Sequence, residues 1–121
     1  MIKAAFFDID GTLVSFKTHK IPESTLEALK RLREAGVRLF IASGRHRASM
    51  DKIAPHADLF DGYVMVNGGL CTVGNKIVYS KPMAKEDVKK WLAYIKIEPR
   101  STCFVLKDKI VLNYVDDDMK R

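Results

Sequence analysis

Residues 3–9 form a nearly continuous apolar run that leads into two aspartates, Asp8 and Asp10. Strands that are apolar at successive positions are typical of parallel sheets covered on both faces, whereas strands with one wet face alternate apolar and polar residues. Parallel strands also need a crossover connection between them, which is usually a helix. The run therefore predicts an α/β fold in which this strand lies inside a sheet.

Hydrophobic periodicity predicts the elements that follow this strand. A helix is expected from Pro22 to Gly36, because leucines recur there at helical spacing. Strands are expected at residues 37–42 and 63–67, and the turn at Ser43 is expected to open a second helix of about ten residues. This order predicts a three-layer, Rossmann-like parallel sheet with right-handed crossovers. In such sheets ligands bind at the carboxyl ends of the strands.

After the third strand the pattern changes. The pair Gly74-Asn75 lies between two short apolar runs and predicts a β-hairpin. Pro82 marks a candidate boundary between a core of residues 1–82 and a second region of residues 83–121. In that second region we expect one amphipathic helix and a second hairpin. The apolar stripe of the helix consists of Val88, Trp91, Leu92 and Ile95. The two strands of the hairpin are expected at residues 102–106 and 110–115.

Composition excludes several classes of protein. With 47% hydrophobic and 30% charged residues, the chain is expected to be globular and not disordered. No apolar run approaches the roughly 20 residues of a membrane span, and no signal peptide is evident, so a cytoplasmic location and no membrane partner are expected. Cys71 and Cys103 lie far apart and are interpreted as reduced thiols. The net charge is +6, but the sequence contains no nucleic-acid-binding motif, so no nucleic-acid partner is expected. The sequence also lacks a P-loop, which excludes a P-loop NTPase.

Polar residues gather at the predicted strand ends. A carboxylate such as Asp8 can attack phosphorus and form an aspartyl phosphate, and a divalent cation such as Mg²⁺ offsets the repulsion between the two anions. Asp10 can protonate the leaving oxygen and then activate water. Ser43 and the N–H of Gly44, at the expected helix start, can bind phosphate oxygens. Ordinary strand-end aspartates and a helix N-cap at Ser43 are the alternative interpretations.

Two segments carry a resemblance to a known family. Residues 8–12, Asp-Ile-Asp-Gly-Thr, and residues 42–45, Ala-Ser-Gly-Arg, resemble the first two motifs of the haloacid-dehalogenase superfamily, and in particular the Cof-like phosphatases. The resemblance spans the chain, with the second region similar to the beginning of an α+β cap. It implies a Mg²⁺-dependent phosphohydrolase acting on small phosphorylated metabolites such as sugar phosphates.

The resemblance also implies individual roles for the residues of the first motif. Asp8 would be the nucleophile and a metal ligand. Asp10 would be the acid/base, and its backbone carbonyl would also bind Mg²⁺. The backbone of Ile9 would contact phosphate. Among the other candidates, Asn67 either faces the substrate or only ends a strand, and Arg45 either meets the substrate or cap or is a solvated residue.

The chain departs from the family pattern in two motifs. The family pattern includes a lysine that steadies the phosphoryl group, and Lys81 fits that motif poorly. It also includes a Gly-Asp-x-x-x-Asp segment, and the acidic run 116–118 fits that motif poorly. We therefore expect a truncated phosphatase, with self-association through the exposed edge of strand 3–9. The alternative is a catalytically incomplete phosphate- or metal-binding or interaction module. A receiver-like domain is disfavoured, because the third strand ends in Asn67-Gly68 and not in an acid.

Overall fold

The computed structural model describes residues 1–117 and 119–120. The chain divides into two compact units, Met1–Ser80 and Lys81–Arg121. The first unit holds one five-stranded sheet and one α-helix, and the second holds one α-helix and a two-stranded sheet. In chain order the elements are β1 (Ala4–Phe7), α1 (Glu23–Glu34), β2 (Arg38–Ala42), β3 (Gly62–Met65), β4 (Leu70–Val73), β5 (Lys76–Ser80), α2 (Lys85–Ile97), β6 (Cys103–Val105) and β7 (Ile110–Leu112).

The large sheet has the strand order β1-β2-β3-β4-β5. β1, β2 and β3 are parallel, and the register pairs Phe7 with Ile41 and Ile41 with Tyr63, so that their carboxyl ends meet at one edge of the sheet. β4 and β5 continue the sheet as the antiparallel hairpin predicted at Gly74. Leu39 and Ile41 of β2 are completely buried at the centre of the core.

The strand predicted to lie inside a sheet is an edge strand of the described residues. β1 pairs only with β2 there. Phe6 stays 59% exposed although its ring stacks on Phe40 at 4.8 Å. An apolar strand with one unpaired edge is a surface that favours further pairing.

Helix α1 packs on the sheet through Leu26 and Leu29, which are both buried. At its end, Arg33 Nη1 donates to the carbonyl oxygen of Leu59 at 2.7 Å and to Asp61 Oδ2 at 3.2 Å. The same Asp61 oxygen accepts the backbone N–H of Leu39 at 2.8 Å. One carboxylate therefore joins the end of helix α1 to strand β2.

The prediction of a second helix between β2 and β3 is wrong. The structure has two 3₁₀ segments there, Arg47–Ser49 and Ala54–Leu59. His46 Nδ1 accepts the N–H of Ala48 at 3.1 Å, which caps the first short segment. Pro55 cannot donate to a helical hydrogen bond, and its ring disfavours helical geometry at the residue before it. Local capping and one proline thus divide a segment that has apolar residues at nearly helical spacing.

The second unit contains the expected helix and hairpin, α2 and β6–β7. None of its described residues is buried. Trp91 and Leu92, on the apolar stripe of α2, are each 40% exposed. Among the described helices of the chain, none is long and apolar enough to cross a membrane.

Candidate active site at the carboxyl ends of the parallel strands

A cleft of about 270 Å³ opens where β1, β2 and β3 end. Each strand contributes a polar segment to it, because parallel strands bring their carboxyl ends to the same edge. The cleft is lined by Asp8, Ala42, Ser43, Gly44, Val64, Asn67 and Gly68. Three of the residues predicted to form the site, Asp8, Ser43 and Gly44, therefore share one cavity.

Asp8 is the first residue after β1, and its side chain is exposed. Its carboxylate makes no hydrogen bond or ion pair with any group in the described part of the chain. An unpaired carboxylate in a polar cleft is available to a ligand, a metal ion or an electrophile. The geometry agrees with the role predicted for it, which stays a prediction.

Ser43 and Gly44 line the same cleft at the end of β2, the strand next to β1. The N–H of Ser43 donates to the carbonyl oxygen of Val64 at 2.9 Å, and Ser43 Oγ accepts the N–H of Arg45 at 3.1 Å. The hydroxyl caps a turn and not a helix, because the N-cap of the following 3₁₀ segment is His46, and the hydroxyl proton remains available to a ligand. The expected helix start is absent, so any anion bound at the free N–H of Gly44 would be held without a helix dipole.

The turn after β1 separates the two aspartates. The carbonyl oxygen of Ile9 accepts the N–H groups of Leu13 and Val14 at 3.1 and 2.9 Å, so the chain leaves the extended conformation directly after Asp8. The N–H of Ile9 takes part in no backbone hydrogen bond of the described residues. Ile9 can thus offer an N–H group to phosphate, as the resemblance implies.

Asp10 lines a different cavity, of about 110 Å³, together with Arg45. Arg45 Nε donates to Asp10 Oδ2 at 2.8 Å, and Nη2 donates to Oδ1 at 3.0 Å. Nη1 of the same guanidinium donates to the carbonyl oxygen of Ser49 at 2.9 Å. Such two-point guanidinium–carboxylate pairs fix orientation as well as charge. Asp8 and Asp10, although only two residues apart, therefore line different cavities.

The Asp10–Arg45 pair is the contact that sequence reasoning missed. Hydrogen bonding to the carboxylate of Asp10 raises the pKa of Arg45 above its ordinary value, and partial burial opposes this. The arginine was visible in the second motif, but its partner lies 35 residues earlier. No spacing rule connects such distant positions.

A divalent cation finds only part of its ligand set in this structure. In the described part of the chain, no three His, Cys, Asp or Glu side chains are grouped closely enough to hold a metal. The free carboxylate of Asp8 fits Mg²⁺, which takes one or two carboxylates and completes its shell with water and phosphate oxygens. Asp10 could contribute its backbone carbonyl, since its carboxylate is bonded to Arg45.

The acidic run near the C-terminus makes local contacts. Asp116 Oδ1 accepts the N–H of Met119 at 2.9 Å, and Asp117 pairs with Lys120 at 3.0 Å. Asp118, the third residue of the run, lies outside the described residues. Asp116 also accepts a hydrogen bond from the hydroxyl of Ser101, 15 residues earlier, so both described acids of the run have partners in the second unit.

Comparison with known proteins agrees with this architecture. The chain is 38% identical over 91 residues to an HMP-PP phosphatase of Yersinia pestis, an alignment that covers 74% of this chain and 33% of that protein. The structure superposes on a HAD subclass IIB sugar phosphatase with a TM-score of 0.86 at 39% identity, covering 98% of this chain and 46% of that one. A haloacid dehalogenase-like hydrolase from Bacteroides thetaiotaomicron gives a TM-score of 0.81 at 26% identity, with coverage of 98% and 46%.

The chain thus spans about one third of that curated relative and less than half of the solved structures. The family model of the haloacid dehalogenase-like hydrolases matches residues 5–121. That match includes both strand-end motifs and extends through the second unit. The chain belongs to the family of haloacid dehalogenase-like hydrolases.

Proposed function

We propose that this chain carries the nucleophile of a Mg²⁺-dependent phosphohydrolase that acts on small phosphorylated metabolites through an aspartyl-phosphate intermediate. The observation that carries the proposal is the cleft at the strand ends. It combines the unpaired carboxylate of Asp8 with the free N–H of Gly44 and the hydroxyl of Ser43. A nucleophile that faces hydrogen-bond donors is the arrangement that phosphoryl transfer requires.

In the proposed first step, an oxygen of Asp8 forms a bond to phosphorus while the bond from phosphorus to the leaving oxygen breaks. Ser43 and the N–H groups of Ile9 and Gly44 hold the non-bridging oxygens in place. A proton from Asp10 neutralises the leaving oxygen. In the second step, water attacks the phosphorus of the aspartyl phosphate, Asp10 accepts a proton from that water, and Asp8 is released as a carboxylate.

Arg45 is the proposed positioning residue for Asp10. Asp10 accepts N–H bonds from the Arg45 guanidinium at both carboxylate oxygens, and this fixed pairing supports a positioning role for Arg45. Before Asp10 can donate a proton to a leaving group, at least one of these bonds must open. The pair is exposed, with 44% and 43% of the two side chains accessible, so its opening costs little.

Mg²⁺ is the proposed cofactor, with the Asp8 carboxylate and the Asp10 carbonyl as its ligands from this chain. When bound, the cation would neutralise charge between the attacking carboxylate and the phosphoryl group. The same charge would hold the substrate against the free donors of the cleft.

The names of the relatives support the proposed substrate class. One relative is named as an HMP-PP phosphatase and one structural neighbour as a sugar phosphatase. Both names describe enzymes that act on small phosphorylated molecules. We extend that class to this chain, with a sugar phosphate as the model substrate.

The test is hydrolysis of p-nitrophenyl phosphate by the complete gene product, with and without Mg²⁺. Asp8→Asn keeps the size of the side chain but removes the nucleophile, so turnover should fall at least ~10³-fold. Asp108→Asn, an exposed residue between β6 and β7, is the matched control and should retain full activity. Undiminished turnover by the Asp8→Asn variant would remove Asp8 as the nucleophile.

A second function is favoured by the incomplete ligand set. Since the described residues hold no group of three metal-binding side chains, the chain could act as a phosphate- or metal-binding module without turnover. This function predicts that inorganic phosphate binds while p-nitrophenyl phosphate is not hydrolysed. Hydrolysis that is lost in the Asp8→Asn variant would decide in favour of the enzyme.

We also propose self-association through the free edge of β1. Phe6 is exposed there beside an unpaired backbone edge. Sedimentation equilibrium should show concentration-dependent association of the 121-residue chain, which Phe6→Lys weakens by adding charge to the edge region. A monomer at every concentration would contradict this proposal.

A further inference from the structure

Three consecutive residues after β3 adopt left-handed backbone geometry. The φ angles of Val66, Asn67 and Gly68 are +52°, +51° and +89°. Glycine accepts such angles freely and asparagine tolerates them, but a β-branched valine is a conformational outlier. A strained residue of this kind persists only where the surrounding structure fixes it. The place of this turn, at the mouth of the cleft, calls for a functional explanation.

The surroundings that fix the turn belong to the phosphate-facing wall of the cleft. The N–H of Val66 donates to the carbonyl oxygen of Arg45 at 3.3 Å, and the N–H of Asn67 donates to the carbonyl oxygen of Ser43 at 3.4 Å. Met65 and Leu70, on either side of the turn, are buried in the core. The turn is therefore anchored at both ends and tied to the segment that follows β2.

This anchoring brings the side chain of Asn67 against Gly44. A Cβ atom built on Gly44 would lie 2.9 Å from Asn67 Oδ1, which is closer than real Cβ atoms approach. A larger residue at position 44 would therefore displace the carboxamide of Asn67. The carboxamide lies beside the N–H group that is predicted to bind phosphate.

The carboxamide of Asn67 has no partner in the described part of the chain. The residue is exposed, it lines the same cleft as Asp8 and Ser43, and its side chain makes no hydrogen bond there. An amide NH₂ has two donors, whereas phosphoryl oxygens in an anionic ester only accept. The side chain therefore offers the complement of a phosphoryl group.

We propose that Asn67 is a substrate-binding residue that donates its side-chain N–H to a non-bridging phosphoryl oxygen, and that the Val66–Asn67–Gly68 turn exists to hold it there. This inference rests on the proposed function of the same cleft. It assigns Asn67 the substrate-facing role that the sequence left open beside a simple strand-ending turn.

The test is a titration of the 121-residue chain with inorganic phosphate in the presence of Mg²⁺, followed by the NMR shifts of backbone amides in the cleft. Asn67→Gly keeps the left-handed turn and removes the amide, and should weaken phosphate binding about 10-fold or more. Asn67→Asp also tolerates this geometry but adds a negative charge, and should weaken binding about 100-fold. Asn75→Gly, at the exposed β4–β5 turn, is the matched control and should change binding less than twofold.

The urea midpoint of unfolding separates binding from folding. If Asn67 served only the turn, Asn67→Gly would preserve both the midpoint and phosphate affinity, and that result would overturn the inference. We expect an unchanged or higher midpoint together with lost affinity. If the wild-type chain neither binds phosphate nor hydrolyses p-nitrophenyl phosphate, the proposed function is overturned together with this inference. If the wild-type chain binds phosphate and both Asn67→Gly and Asn67→Asp bind it equally well, this inference alone is overturned.

Discussion

The two units of this chain use their apolar residues in opposite ways. All the buried apolar side chains of the described residues lie between Ile9 and Leu70, in the first unit. The second unit has an amphipathic helix, but Trp91 and Leu92 of that helix remain 40% exposed. A hydrophobic stripe thus predicts a helix in both units, whereas buried side chains in the described part of the chain are found only in the unit with the five-stranded sheet and not in the unit with the two-stranded one.

The comparison also explains where the chemistry lies. Every proposed site residue belongs to the first unit, at the ends of strands whose positions are fixed by a buried core. Rigid elements hold reacting groups more accurately than mobile ones do.

The largest expected difference is in hydrogen exchange. Backbone amides of Leu39 and Ile41 in β2 should exchange only on global unfolding, because both residues are fully buried. Amides near Trp91 in α2 should exchange through local opening, at least ~10³-fold faster. Hydrogen exchange followed by mass spectrometry measures both. Equal protection of the two elements would show that the apolar face of α2 is packed in solution.

Truncating one isoleucine in each unit should give unequal losses of stability. Ile41→Ala leaves a cavity in the core and should lower the free energy of unfolding by about 2–5 kcal/mol. Ile97→Ala is the matched control, since Ile97 is 82% exposed, and it should change stability by less than ~0.5 kcal/mol. Urea titration of both variants tests the pair. A loss in Ile97→Ala as large as that in Ile41→Ala would contradict the difference between the units.

A smaller and opposite effect is expected at Thr72 in β4. Its hydroxyl is buried and has no hydrogen-bond partner among the described residues. Thr72→Val removes this unsatisfied group with little change in shape, and should raise the free energy of unfolding by about 1 kcal/mol. Thr102→Val in the second unit should give no gain, because Thr102 Oγ1 donates to the carbonyl oxygen of Arg100 at 3.2 Å. Thermal melts that show equal gains would contradict this prediction.

The smallest effect is a pH dependence at Tyr63. Burial in β3 raises the pKa of this phenol above its ordinary value, and the nearby charge of Arg47 partly opposes the shift. Because the folded state then holds its proton more tightly than the unfolded state, the associated stability is complete below about pH 10 and is lost as the pH rises through the folded pKa. Tyr63→Phe should flatten the decline in unfolding free energy above about pH 10. An unchanged decline in that variant would assign it to other groups.

Local sequence patterns predicted much of the fold because they report which face of an element is buried. The parallel strands, helix α1 and the Gly74 hairpin follow from periodicity and turn residues. The same reasoning was wrong after β2, where His46 and Pro55 divide the segment into 3₁₀ turns. Capping and proline geometry there favour short 3₁₀ segments over the helix that the turn at Ser43 was expected to open.

The site was predictable to a similar extent. The motifs identified Asp8, Ser43 and Gly44, and the structure brings these three residues into one cleft. Asp10 was identified too, but its direction was not, since the strand ends before it and the chain turns at Ile9. A turn of this kind depends on backbone hydrogen bonds that a two-residue spacing does not reveal.

By itself, then, the sequence determined the order of the elements, the apolar strands and the acids that follow the first of them. Those features depend on residues that are close together in the chain. Only the tertiary structure decided that Arg45 holds Asp10 across 35 residues, and that the strained turn at Val66 places Asn67 against Gly44. Contacts between distant segments depend on how the strands are aligned in the sheet, and the local sequence patterns do not specify that alignment.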